Sequence, residues 1–275
     1  MKTHPWLQEL VTIDSASEKP EPKARFERKA AAGYTLSLAS SQSEIAEAQR
    51  LRYKVFAEEM GAKLASEPKA GQPGYDVDEF DKYCEHLLVR NEADGKVVGA
   101  YRLLLPENAR RIGRLYCESE FDISRLAHLR SCTVEAGRSC VHRDHRNGQV
   151  IMLLWAGVTR FVARHGYRYL IGCASVPLRD GGHGAANLYA SLKPEQFVAP
   201  EYRVFPRVEL PWEKLRTADA LVVPALIKGY LRLGAKIGGP PAWDPDFNSA
   251  DLFIFLPMKE MNPKYSRHFG LDALK

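Results

Sequence analysis

The chain has 275 residues, of which 45% are hydrophobic and 27% charged, a balance that suits one large soluble domain or two small ones and excludes fibrous or disordered classes. Its longest apolar runs, 150–155 and 218–227, fall short of the ~20 residues of a membrane span, and residues 1–32 carry no apolar stretch of the kind a secretory signal needs, so a cytoplasmic protein is expected. Cys84, Cys117, Cys132, Cys140 and Cys173 form no Cys-x-x-Cys pair and read as reduced thiols, while a net charge of +5 admits anionic lipid, nucleic acid or an acidic carrier protein without choosing among them.

Residues 18–29 are dense in charge and proline, so 1–33 is expected as a loosely attached N-terminal arm ahead of one domain over 34–275, with a C-terminal extension from about residue 200. Tyr34 to Ala39 is strand-like. Ser41 with Glu44 three residues on is a capping-box signature, which predicts a helix through about Glu59. Glu85 to Arg90 and Val97 to Leu105 read as strands joined at Asp94-Gly95, where both positions tolerate positive φ. A third strand is expected from Arg130 to His142. Val150, Ile151, Leu154, Trp155, Val158, Phe161 and Val162 then recur at helical spacing, predicting a helix with one face on a sheet and Gly166 at its end. Tyr169 to Ala174 reads as a buried strand. The tail adds a helix near Pro224 to Leu233, a turn-rich Gly238 to Asp246 and a strand from Leu252 to Leu256. This order implies an α/β (α+β) fold with a mixed central sheet flanked by helices.

Charged residues stand beside apolar strands along the first half: Arg52 near Phe56, Asp78 and Asp81, Arg102, then Glu135 and Arg138. An isolated buried charge costs several kcal/mol, so such residues are partnered or face a cleft. Residues three apart on a regular strand point to opposite faces. A bulge at Ala136-Gly137 would return Glu135 and Arg138 to one face; a cross-strand surface ion pair is the alternative. The turn Arg143-Asp-His-Arg-Asn-Gly148 leads into the predicted helix, where free backbone N–H groups beside Arg143 and Arg146 suit a phosphate, unless the turn is simply a solvated basic one. His142 and His145 lack further ligands at convincing spacing, so no metal is expected, and Cys140 reads as packing rather than as a nucleophile.

These residues resemble the GNAT superfamily, in its branch of acyl-homoserine-lactone synthases and bacterial ornithine-lipid N-acyltransferases. Leu51-Arg-Tyr-Lys-Val-Phe56 looks like the synthases' Arg and Phe four apart, Asp78-Glu-Phe-Asp81 like their paired aspartates, Arg102 like their arginine after the hairpin, and Glu135 with Arg138 like their Glu-x-x-Arg. The stretch Pro224 to Asn248, with Asp251 and the Leu-Phe-Ile-Phe strand, resembles the ornithine-lipid branch and points away from the lactone synthases. The resemblance implies a mostly antiparallel GNAT-like sheet with a C-terminal helix-loop-strand extension. It implies transfer of a 3-hydroxyacyl chain from the phosphopantetheine of acyl carrier protein to the α-amino group of L-ornithine, with no other cofactor, no metal and no nucleic-acid partner. It leaves open a peripheral contact with the cytoplasmic face of the inner membrane through the Pro224 to Leu233 helix. Glu135, Arg138, Arg102, Asp78 and Asp81 are the expected catalytic group, Glu135 being the general base held by Arg138 and Arg102. Arg52, Phe56, Ser139, Cys140, Val141, Arg143, Arg146, Asn147 and Gly148 are expected to bind substrate or donor. Asp244, Asp246 and Asp251 are available for the ornithine side-chain ammonium, and Tyr189 for protonating the departing thiolate. Acylation of another amino acid such as glycine, lactone synthesis, and a non-catalytic acyl-carrier or lipid-binding module are the rival functions.

Overall fold

In a computed structural model, which describes residues 29–31, 33–64, 74–219 and 223–271, the first elements are two short antiparallel strands, β1 (Lys29–Ala31) and β2 (Tyr34–Leu38). Lys29–Ala31 thus belongs to the sheet, and residues 1–28 of the expected arm lie outside the described residues. Helix α1 (Gln42–Tyr53) starts as its spacing predicts: the Ser41 hydroxyl accepts the Glu44 amide at 3.3 Å. The Glu44 carboxylate reaches back one residue further than in a standard capping box, accepting the Ser40 amide at 2.7 Å. Beyond Tyr53 the predicted helix widens into a π-helical turn, Lys54–Glu59. Such turns are rare and concentrate at functional sites, and this one seats Phe56 at the cavity described below.

The hairpin of β3 (Cys84–Asn91) and β4 (Val97–Leu104) turns where the Asp-Gly signal predicts, but through the longer connection 92–96, in which Gly95 at φ 70° has the positive φ and Asp94 does not. Helix α2 (Pro106–Ile112) and the two-residue β5 (Phe121–Asp122) follow. Residues 130–132, expected at the start of the third strand, end a 3-10 helix, Ser124–Cys132, so β6 runs only over Thr133–Val141. Next come α3 (Gln149–Arg164), β7 (Tyr169–Pro177), α4 (His183–Ser191), β8 (Phe205–Pro206) and α5 (Trp212–Leu215). The tail supplies α6 (Ala225–Leu233), β9 (Lys236–Ile237), β10 (Ala242–Asp244), β11 (Ser249–Pro257) and α7 (Pro263–His268).

One sheet runs β1-β2-β3-β4-β6-β7-β11-β10, with β9 also on β11; every pairing is antiparallel except β6 with β7. The tail is therefore part of the central sheet: β11 pairs with β7 over its whole length, from Ser249↔Pro177 to Pro257↔Tyr169. Helix α1 packs Ala48 and Leu51, and the π-helical turn after it Val55, against Leu88 and Ala100 on one face, and α3 packs Val150 and Leu154 against Leu36, Leu87 and Val98 on the other. The sequence pattern gives α3 one buried face that includes Trp155 and Val158; Gly157 and Thr159 are buried as well, Gly157 against Leu36 and Leu87 of the sheet, and α6 covers Trp155. Gly229 of α6 permits this, since a Cβ there would lie 1.7 Å from the Trp155 ring.

The parallel pair β6–β7 holds together only from Thr133↔Tyr169 to Glu135↔Ile171. Gly172 makes the close approach at that point possible: a Cβ on it would sit 2.3 Å from the Ala136 carbonyl oxygen. Beyond it β6 continues to Val141 and β7 to Pro177 without pairing to each other, so a cleft opens in the middle of the sheet.

Candidate active site

The charged residues singled out in the sequence converge on this cleft. Arg52, 1% exposed, donates to Asp76 and Asp81, both at 2.8 Å. Arg102 from β4 reaches Asp78 at 2.5 Å and Asp81 at 2.9 Å, and Arg138 from β6 lies 3.2 Å from Asp78 and 3.3 Å from Asp76. Arg52, Arg102 and Arg138 thus balance Asp76, Asp78 and Asp81, which makes burial of all six tolerable. Asp78 and Asp81 are opposed by burial, but the arginines win and hold both carboxyls below the usual range. Asp76 is absent from the sequence expectation, although its i, i+2 spacing to Asp78 in Asp76-Val-Asp78 was a usable signal.

Glu135 is held differently from the expectation. No arginine bonds it; its two oxygens accept the backbone amides of Tyr116 at 2.6 Å and Cys117 at 2.7 Å, at the start of a 3-10 turn, Tyr116–Ser119. Burial outweighs these bonds and raises its pKa. The expected bulge in β6 exists two residues later than predicted, at Arg138-Ser139 rather than Ala136-Gly137. Arg102 pairs with Gly137 and Ala100 with Cys140, so Arg138 and Ser139 together oppose Tyr101. The strained residue is Arg138 itself, at φ 52°, not Gly137. Its guanidinium lies over the Tyr116 and Phe247 rings, 5.0 Å and 4.6 Å from their centroids.

Glu135, Arg138, Arg102, Phe56 and Ser139 line a cavity of about 210 Å³ between the splayed strands, together with Tyr116, Ser175, Asp244 and Asp251. Tyr101, Ala136, Cys173 and Tyr230 line it too, and the same four wall a narrow apolar extension lined further in by Trp155, Val158, Leu233 and Ile254. The Tyr101 and Tyr230 hydroxyls are hydrogen-bonded to each other at this junction. Asp251 faces the cavity, whereas Asp244 accepts the Asp246 and Phe247 amides at 2.9 Å and 3.1 Å as the cap of its own turn, and Asp246 is exposed outside.

Other expected residues stand apart. Cys140 packs against α1, and burial pushes its thiol up to about 12; Val141 packs on the α3 side. Arg143, Arg146, Asn147 and Gly148 sit at the rim beside the N-terminus of α3 and do not line the cavity. Both arginines pair with Glu59, at 3.4 Å and 2.7 Å, and the Asn147 side chain accepts the Gln149 amide at 3.0 Å, so that first helical N–H is not free for phosphate. Tyr189 is not at the cleft; it makes edge-to-face contacts with Phe197 and Trp212. His142 and His145 make no metal cluster, since among the described residues the one group with ligand atoms close enough is Glu120, Cys173 and Asp251. Helix α6 turns Ile227, Tyr230 and Leu233 into the core, and no helix among the described residues is long and apolar enough to cross a membrane.

A cleft between two diverging parallel strands, with a buried carboxylate at its root, fits acyl transfer, and comparison with known proteins agrees. An acetyltransferase (GNAT) domain model matches residues 51–156. The chain is 38% identical over 252 residues to an L-ornithine N(alpha)-acyltransferase of Rhizobium meliloti, covering 86% of this chain and 84% of that protein. The corresponding protein of Agrobacterium fabrum is 37% identical, over 86% of this chain and 85% of its own. This chain belongs to the L-ornithine N(alpha)-acyltransferase family. It is an acyltransferase with the GNAT-like mixed sheet that the sequence implies. The CoA-dependent acyl-homoserine lactone synthase MesI shares the fold, with a TM-score of 0.50 at 13% identity over 86% of this chain and 95% of that one. An amino-acid acceptor and an acyl thioester donor are what membership of the family implies.

Proposed function

We propose that this acyltransferase moves a 3-hydroxyacyl chain from acyl carrier protein onto the α-amino group of L-ornithine, giving lyso-ornithine lipid. The observation that carries the acceptor is the 38% identity along most of the chain to a relative named for that reaction. The carrier-bound donor rests on the sequence resemblance, supported by the net charge of +5 and by the half-exposed Arg143 and Arg146 at the cleft rim, which suit an acidic partner.

In this reading the thioester carbonyl lies between β6 and β7, with its acyl chain running toward the apolar extension beneath Tyr230. The acceptor enters as an ammonium and loses a proton before its nitrogen attacks. Glu135, acting through a water, is the candidate base, because a buried carboxylate of raised pKa is closer to the operating pH than an exposed one. The C–N bond forms, the tetrahedral oxyanion collapses, the C–S bond breaks, and the attacking nitrogen gives up its second proton as the departing thiolate takes one up. Backbone N–H groups of β6 past Glu135, no longer paired with β7, are the candidate oxyanion donors, each worth roughly 3 kcal/mol in comparable sites. Arg52, Arg102, Asp76, Asp78 and Asp81 fix the strand geometry from behind rather than touch the reacting atoms.

The test is incubation of the purified protein with 3-hydroxyacyl carrier protein and a panel of free amino acids, following thiol release and product mass. The mass of the N-acylated ornithine supports donor and acceptor together. Release with glycine alone changes the acceptor, and release only from acyl coenzyme A changes the donor.

A further inference from the structure

Glu120 follows the Tyr116–Ser119 turn and leads into β5. Both of its carboxylate oxygens are buried and take no hydrogen bond from a backbone amide or a hydroxyl; their polar neighbours are the Asp251 carboxylate and the Cys173 thiol. An unsatisfied buried carboxylate costs free energy unless something fills the place beside it. A carboxylate oxygen of Glu120, one of Asp251 and the Cys173 sulfur lie within 4.8 Å of one another. Asp251 lines the central cavity, Glu120 lines the adjoining outer groove, and Asp244 and Arg138 line both, so the acids stand where the two spaces meet. Arg138 brings the opposite sign: its Nε is buried and, although 3.3 Å from Asp76, makes no hydrogen bond. A buried acid pair that meets no cation among the described residues, and a guanidinium nitrogen that makes no hydrogen bond, around one cavity, fit a ligand that carries both charges.

We propose that Glu120 and Asp251 bind the side-chain ammonium of the acceptor and so select a diamino acid, while Arg138 takes its α-carboxylate. This rests on the acyl transfer to ornithine proposed above and deepens it. Two carboxylates this close repel when both are ionised, and an ammonium between them supplies the missing charge and the missing donors at once. Such a site discriminates strongly, because an acceptor without the second amine leaves both acids unpaired. Ser249 contributes from the same wall by donating to Asp251 at 2.9 Å, and Ser175 hydrogen-bonds the same carboxylate, so the acid is fixed in place.

The experiment compares kcat/KM for L-ornithine and L-norvaline, which is ornithine without the terminal amine, using one acyl thioester. Wild-type protein is expected to prefer ornithine by about tenfold or more, and Glu120→Gln or Asp251→Asn to shrink that ratio by at least about tenfold, chiefly through KM for ornithine. An ornithine-to-norvaline ratio that survives in both variants, with each shown folded by its thermal transition, overturns the proposal. So does a stoichiometric metal bound by Glu120, Cys173 and Asp251 with the ratio unaltered in the variants. If wild-type protein acylates neither amino acid, the reaction reading fails instead, and calorimetric binding of the same two amino acids to wild type and Glu120→Gln decides the recognition question by the same ratio.

Discussion

At the scale of single residues, Glu135 and Asp81 make opposite predictions. Glu135→Gln removes the candidate base and turns an acceptor oxygen into an amide that faces the Tyr116 or Cys117 N–H, so kcat is expected to fall by about 100-fold or more. KM for the donor should change little, and the acidic limb of the pH–rate profile should vanish; kcat within twofold of wild type would remove Glu135 from the chemistry. Asp81 is a matter of stability. Its folded pKa is depressed, so its ion pairs stabilise the protein above the unfolded-state value of ~3.9 and are lost as pH falls through the folded value. Wild type should lose thermal stability steeply below about pH 4, whereas Asp81→Asn should be less stable by about 3–5 kcal/mol at pH 7 and flatter toward acid. Equal melting curves at pH 7 would contradict this. Arg52, Asp78, Asp81, Arg102 and Arg138 were legible in the sequence because buried charge demands partners. Their partner Asp76 was overlooked although its spacing to Asp78 offered a signal, and Glu120 was not legible, since it stands beside no long apolar strand that would mark it as buried.

Among the elements, strands and long helices were readable from apolar period, and the short irregular pieces that decide the chemistry were not. The amides that grip Glu135 come from the Tyr116–Ser119 turn, which has no periodicity to betray it, and the β6 bulge sits at Arg138 although Gly137 is the residue that tolerates distortion most cheaply. Helix α6 was placed correctly, but its position over α3 depends on Gly229, a contact no sequence pattern encodes. Gly229→Ala puts a methyl where the Trp155 ring now lies, so either the ring or the helix must move. A loss of about 1–3 kcal/mol is expected. Because Tyr230 and Leu233 of the same helix wall the apolar extension, kcat/KM should drop more for long acyl thioesters than for short ones. A uniform loss across chain lengths would show that α6 does not cover the acyl path.

For the whole molecule, the sheet order places three chemistries around one cleft: the ionic network behind β4 and β6, the acids of β10 and β11 on the far side, and the basic rim at the start of α3. The C-terminal strand β11 is what brings the acids in, by pairing with β7 along its full length. The rim then faces any macromolecular donor before the cleft does. Arg143 and Arg146 are both paired with Glu59, so under the proposed carrier-protein donor their attraction would be a long-range one, set by net charge rather than by a preformed phosphate pocket. Screening shortens its reach to ~8 Å at physiological ionic strength, which makes salt the discriminating variable. With an acyl carrier protein donor, kcat/KM should fall steeply between low and high salt; with the same acyl group on a short pantetheine thiol it should hardly change. Arg146→Ala should lower the low-salt rate for the carrier and flatten its salt dependence, leaving the pantetheine donor nearly as before. If both donors respond to salt alike, the basic rim is a solvated surface, and the donor is selected inside the cleft by its acyl chain alone.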